Sequence, residues 1–146
     1  MIVIDTSVFT DFFINFDDKR HKKAKMFIDS ISTRDFIIYE PFIFDIELAG
    51  ILRRKFSEAT VSEIVEKLKS RIVVLDEVSL HRVAFNVAMN THCRAVDAYF
   101  VAAARLSDSI LITNDRIMVD NARNSDIETY YLIAEYDNVM RRIGEI

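Results

Sequence analysis

Four acidic side chains in this 146-residue sequence stand where a solvated surface does not explain them. Asp5 ends the strand-like run MIVID, with the small hydroxyls of Thr6 and Ser7 directly behind it, and Asp115 ends a second such run, ILITND. Asp97 is the sole charge between Arg94 and Arg105, and its helical neighbours at i+4 and i+7 are Val101 and Ala104, so its stripe faces an interior. Glu47 repeats the pattern, with Ile43 four residues before it and Ile51 four after. A carboxylate among apolar groups costs too much to keep without a cation, hydrogen-bond donors or a raised pKa. Converging at one mouth, the four would repel one another in the absence of a counter-ion. Hard oxygen donors, with no cysteine cluster and no suitably spaced histidine, select Mg2+ or Mn2+ over zinc.

Each of these acids has a plainer alternative. A strand-end aspartate often caps the helix that follows, and Asp76 after IVVL shows how common the setting is. Asp97 can be satisfied by an arginine or by backbone amides. Thr6 and Ser7 orient Asp5 or a water, or else close a turn. Asp45 reads as first-turn charge in a helix begun at Pro41, where the helix dipole favours it, and Glu40 lacks the flanking of an apolar helix stripe.

Alternation of short β-branched runs with long helical stretches supplies the elements that position these residues. Strands are expected at 2–5, 36–39, 72–75 and 110–113, with a weaker one at 127–132. Helices are expected at 8–15, 19–32, 42–56, 60–70, 79–91, 94–107, 115–123 and 132–143. The pattern is that of an α/β protein, a three-layer α/β/α sandwich around a parallel sheet of about five strands. The continuous apolar character of the four stronger strands implies helices on both faces. In such a sheet ligands sit beyond the carboxyl ends of the strands, where Asp5 and Asp115 stand.

The chain has the size of one domain, spanning 1–146, with half of its residues hydrophobic. No leader or long apolar segment is visible, so the expectation is a cytoplasmic protein with no membrane partner. Cys93 is the only cysteine and reads as a small core or surface thiol. Two glycines, Gly50 and Gly144, cannot build a glycine-rich phosphate loop. His21, His81 and His92 fit no ligand spacing. With a net charge of −4 the chain is not generally basic, but KRHKKAK at 19–25 is dense enough for Lys19, Arg20, Lys22 and Lys23 to contact phosphates, unless it is only a solvated helix face. RRK at 53–55 is a shorter run of the same kind, and Arg116 beside Asp115 is a further candidate contact. The series Phe9, Phe12, Phe13, Phe16 reads as core, dimer or partner surface rather than as a base-stacking platform.

Taken in order, VIDTSVF, the helix E-L-A…L-R-R-K at 47–55, DAYFVAAA at 97–104 and ILITNDRIM at 110–118 resemble a PIN domain, and specifically the VapC-type toxin ribonucleases, over essentially the whole chain. The resemblance implies the sheet order 3-2-1-4-5, with Asp76 at an edge and outside the site. It carries an acidic quartet onto Asp5, Glu47, Asp97 and Asp115 as catalytic metal ligands, with Thr113 and Asn114 as supporting polar positions. It further implies Mg2+- or Mn2+-dependent RNA cleavage, a homodimer and an antitoxin protein that inserts into the site. The tail VDNARNSDIETYYL departs from the family pattern and leaves Asp120 able to supplement Asp115. Two other functions compete. An aspartate-based phosphohydrolase or phosphoacceptor needs a late lysine, yet Lys69 is the last one, and DTS lacks a second aspartate. A non-catalytic RNA- or protein-binding module on the same scaffold would leave the same core pattern, but would not need all four acids.

Overall fold

In the computed structural model, which describes residues 1–146, five strands form one all-parallel sheet in the order β3-β2-β1-β4-β5. The strands are β1 (Ile2–Ile4), β2 (Ile38–Pro41), β3 (Ile72–Leu75), β4 (Ile110–Thr113) and β5 (Thr129–Tyr131). Between and after them run α1 (Thr6–Phe13), α2 (Asp18–Ser32), α3 (Phe44–Leu52), α4 (Glu58–Lys69), α5 (Glu77–Thr91), α6 (Ala95–Leu106), α7 (Arg116–Arg123) and α8 (Leu132–Ile143). Four helices begin where a side chain takes up a free backbone amide: Asp17 accepts from Arg20 N, Ser57 from Thr60 N, Asp76 from Ser79 N and Asp115 from Ile117 N and Met118 N. The chain leaves α5 through His92, which adopts the left-handed conformation at φ 58°. No helix is long and apolar enough to cross a membrane.

β1 and β4 lie side by side at the centre, and their apolar residues are fully buried between the helical layers. The outer strand β3 differs from expectation, because Val73 and Val74 are each almost half exposed. A continuous apolar run therefore does not ensure two covered faces at a sheet edge. Pro41 also corrects a boundary. It closes β2 opposite Leu75, and α3 starts only at Phe44, although Asp45 does lie in its first turn. Proline is tolerated there because it ends the strand, and Phe42 N resumes the ladder by donating to Leu75 O at 2.9 Å.

Four elements are tied at the carboxyl end of β4 by buried polar groups. Asp11 of α1 accepts from Arg20 Nε of α2 at 3.1 Å through each oxygen, and from Asn114 Nδ2 at 2.7 Å. Asn114 Oδ1 accepts in turn from Ile133 N of α8, and Arg20 donates to Asn114 O. Removing the one anion leaves the Nε of a partly buried guanidinium and the Nδ2 of a buried amide without an acceptor. Asp11→Ala should therefore cost about 2–4 kcal/mol, and Asp11→Asn less. Urea denaturation checks this through the transition midpoint; a midpoint unchanged in Asp11→Ala would remove the tie from the account of the fold.

Candidate active site

A cavity of about 350 Å³ opens beyond the carboxyl ends of β1 and β4, and Asp5, Glu47, Asp97 and Asp115 all line it. The strand order reverses at β1, with β2 and β3 on one side and β4 and β5 on the other, which leaves a crevice that neighbouring connections do not fill. Asp5 is delivered by β1, Asp115 by the end of β4, Glu47 by α3, and Asp97 by the first turn of α6.

Asp5 occupies the N-cap position of α1, but its side chain makes no capping bond. Instead Oδ2 accepts from Thr113 Oγ1 at 2.7 Å and, closer still, from Ser7 Oγ. Those hydroxyls are themselves fixed, since Asn114 N donates to Ser7 Oγ and Asp115 N donates to Thr113 Oγ1, each at 2.9 Å. Only 5% of Asp5 is exposed. Burial raises its pKa from 3.8 to about 6 against the pull of the two hydroxyls, and the negative charges of Glu47 and Asp115 add to the rise. Thr6 serves a different acid, donating to Glu47 Oε2 at 2.7 Å. Burial also raises the pKa of Glu47, a shift that this bond opposes and the Asp97 charge reinforces.

Asp97 is 3% exposed, and burial again holds its pKa up. Its compensation comes from Arg94, whose Nη2 lies 3.3 Å from Asp97 Oδ1 and 3.9 Å from Asp115 Oδ2 while the side chain remains 77% exposed. Arg94 is thus an internal counter-charge at the pocket mouth. Asp115 uses Oδ1 to cap α7 through Ile117 N and Met118 N, which leaves Oδ2 toward the cavity. Capping and pocket lining coexist in this carboxylate because it has two oxygens. As they stand, no three of the His, Cys, Asp and Glu side chains are gathered into a ready cage for an ion.

Other residues expected near the site take up varied positions. Asn114 turns its side chain away from Asp5, into the tie with Asp11 and Ile133. Within the basic run, Arg20 lines the pocket but is paired with Asp11, and Lys23 donates to Ile133 O; Lys19 and Lys22 remain exposed. Arg116 and Asp120 are exposed and do not line the cavity, nor does any histidine. Asp76 caps α5 at the outer strand, away from the pocket. The phenylalanine series divides: Phe9 is in the core, Phe12 and Phe13 are partly buried, and Phe16 is 65% exposed on the cavity wall.

Two buried acids escaped the helix-stripe criterion. Glu40 is fully buried on β2; Oε1 accepts from Ile4 N at 3.0 Å, Oε2 has no partner, and burial raises its pKa well above the usual range. Its signal was in a strand's period, where the neighbours at i±2 are Ile38 and Phe42. The signal for Asp11 was an acid set among phenylalanines in TDFFINF.

Residues 2–124 match the family profile described as the PIN domain. No curated protein sequence matches the chain significantly. Among solved structures, a Mycobacterium tuberculosis VapC20 described as a sarcin-ricin loop cleaving toxin superposes with a TM-score of 0.64 at 20% identity, over 81% of this chain and 92% of that one. The protein PAE2754 from Pyrobaculum aerophilum gives 0.64 at 18% identity, over 99% and 90%. A toxin-antitoxin complex from Klebsiella pneumoniae gives 0.60 at 15% identity, over 79% and 87%. At such identities these likenesses carry the fold alone.

The raised Asp5 pKa has a measurable consequence. The native state holds a proton on Asp5 up to about pH 6, whereas an unfolded aspartate releases it near 3.8, so between these values the native state binds more protons. This contribution to stability is present at low pH and is lost as pH rises through the window. In EDTA, the stability of wild type relative to Asp5→Asn should therefore fall by on the order of 3 kcal/mol between about pH 4 and about pH 7. Calorimetric melting of both proteins across that range checks it, and parallel profiles would mean that Asp5 is ionised throughout.

Proposed function

The chain belongs to the PIN domain family, and from that premise we propose that it is a Mg2+- or Mn2+-dependent endoribonuclease of the VapC toxin type, hydrolysing RNA phosphodiester bonds in the cytoplasm. The observation that carries this reading is the gathering of Asp5, Glu47, Asp97 and Asp115 around one cavity, with Asp5 held by two hydroxyls rather than spent on a helix cap. An all-oxygen donor set suits a hard divalent cation. Asp5, Glu47 and Asp97 are its proposed principal ligands, and Asp115 Oδ2 the fourth. An ion held by these carboxylates would supply water activation and charge stabilisation for an in-line displacement.

The chain's own residues set the conditions for that chemistry. Ser7 and Thr113 fix the orientation of Asp5, and Thr6 fixes that of Glu47. The raised pKa values of Asp5, Glu47 and Asp97 mean that a cation entering the pocket competes with protons there. Arg94 must give up its contacts for Asp97 to ligate fully, and a displaced guanidinium at the mouth suits a substrate phosphate. Exposed Lys19 and Lys22 extend the positive surface available to RNA.

An antitoxin partner is part of the proposal, supported by the toxin-antitoxin complex among the structural neighbours and by a pocket that already accommodates one guanidinium. A homodimer is proposed with it. The other reading, a non-catalytic binding module, gives no reason to retain four acids at one mouth.

Labelled single-stranded RNA incubated with purified protein should be cleaved in Mn2+, and both EDTA and Asp97→Asn should slow cleavage by about a hundredfold or more. Cleavage that survives either change would contradict the metal-dependent reading. Loss of RNA cleavage in wild type with RNA binding intact would favour the binding module.

A further inference from the structure

Phe16 is the residue at this cavity whose placement the proposed chemistry leaves unexplained. It immediately precedes Asp17, the N-cap of α2, a position from which an apolar side chain often packs back onto the fourth residue of the helix. That residue here is His21, whose ring nitrogen instead faces Asp11 O at 2.8 Å. Phe16 consequently has no apolar staple and keeps 65% of its surface in water. Several other large apolar side chains are as exposed, including Ile46, Val78 and Met89, but Phe16 is the one among the large exposed apolar residues that lines the carboxylate pocket. Lys55, beyond the end of α3, brings Nζ within 5.5 Å of its ring centroid. An exposed aromatic ring, a cation lying over it and the carboxylate pocket are thus adjacent.

Single-stranded nucleic acid is held by this combination, because every base has a face to stack while the backbone between bases needs positive charge. A paired base is already stacked in its helix, so the arrangement favours an unpaired nucleotide. Resting on the ribonuclease reading above, we propose that Phe16 is the stacking platform for an unpaired nucleobase next to the scissile phosphate, and that Lys55 takes a phosphate of the same nucleotide or its neighbour. Phe16 is then a substrate-positioning residue and does not touch the reacting atoms. The RRK run contributes through Lys55, while Arg53 turns back to the carbonyl of Phe56.

The test uses a short single-stranded oligoribonucleotide and the full chain carrying Asp97→Asn, so that the RNA survives. In NMR titrations one nucleotide's base protons should show an upfield ring-current shift. Adding Phe16→Ala should abolish that shift and weaken binding about tenfold, whereas Phe16→Trp should preserve both. Lys55→Gln should weaken binding and reduce the salt slope by about one. In the otherwise unaltered enzyme, Phe16→Ala should raise KM at nearly constant kcat and leave the Mn2+-induced rise in melting temperature unchanged. An undiminished shift and affinity in Phe16→Ala would overturn the platform while leaving the ribonuclease reading intact. Failure of the Asp97→Asn protein to bind the oligonucleotide, together with absent cleavage by wild type, would overturn both.

Discussion

Carboxylates withdrawn from water beside one another must be neutralised, and the ways in which this protein does so organise its pocket. Asp5 receives two hydroxyl donors and a pKa of about 6, Glu47 receives one hydroxyl, and Asp97 receives an arginine. None of these fully offsets burial, since all three pKa values remain raised. The protein thus holds negative charge in an unfavourable state, and on the proposed metal-dependent reading a cation would recover that free energy on binding.

The parallel sheet makes the concentration of charge possible. Adjacent strands β1 and β4 end at the same level, so Asp5 and Thr113 meet although 108 residues separate them in the chain. The amides of Asn114 and Asp115 then lock the hydroxyls that hold Asp5. On the other side of the switch point, Glu40 places its side chain against Ile4 N, where a main-chain acceptor would otherwise sit, one residue before Asp5. The tie of Asp11, Arg20, Asn114 and Ile133 anchors α1, α2 and α8 around the same strand end. Strand-end geometry, helix placement and site electrostatics therefore depend on the same few polar side chains.

Much of this was legible in the sequence because burial leaves a periodic mark. The strand runs and helical stretches gave the α/β architecture, and apolar flanking marked Glu47 and Asp97 as inward-facing, whereas the meeting of these two with Asp5 and Asp115 at one cavity is seen only in the fold. Glu40 was less visible because it obeys a strand's period within a stretch that also leads into a helix. The roles of Arg94 and Arg20 depend on which acid each guanidinium reaches, and side-chain direction across a tertiary contact leaves no local pattern. Asp5 and Asp115 looked equivalent as strand-end acids, yet only Asp115 caps its helix. Hydroxyl partners from α1 and β4 made that difference, and those partners come together only in the fold.

Whether the four carboxylates form a divalent-cation site is tested most directly by anomalous diffraction from crystals grown with Mn2+. An anomalous peak within bonding distance of Asp5 and Asp97, with Arg94 turned away from Asp97, is the expected result. A peak confined to other surface carboxylates, or a pocket still bridged by Arg94 with no peak at saturating Mn2+, would contradict it.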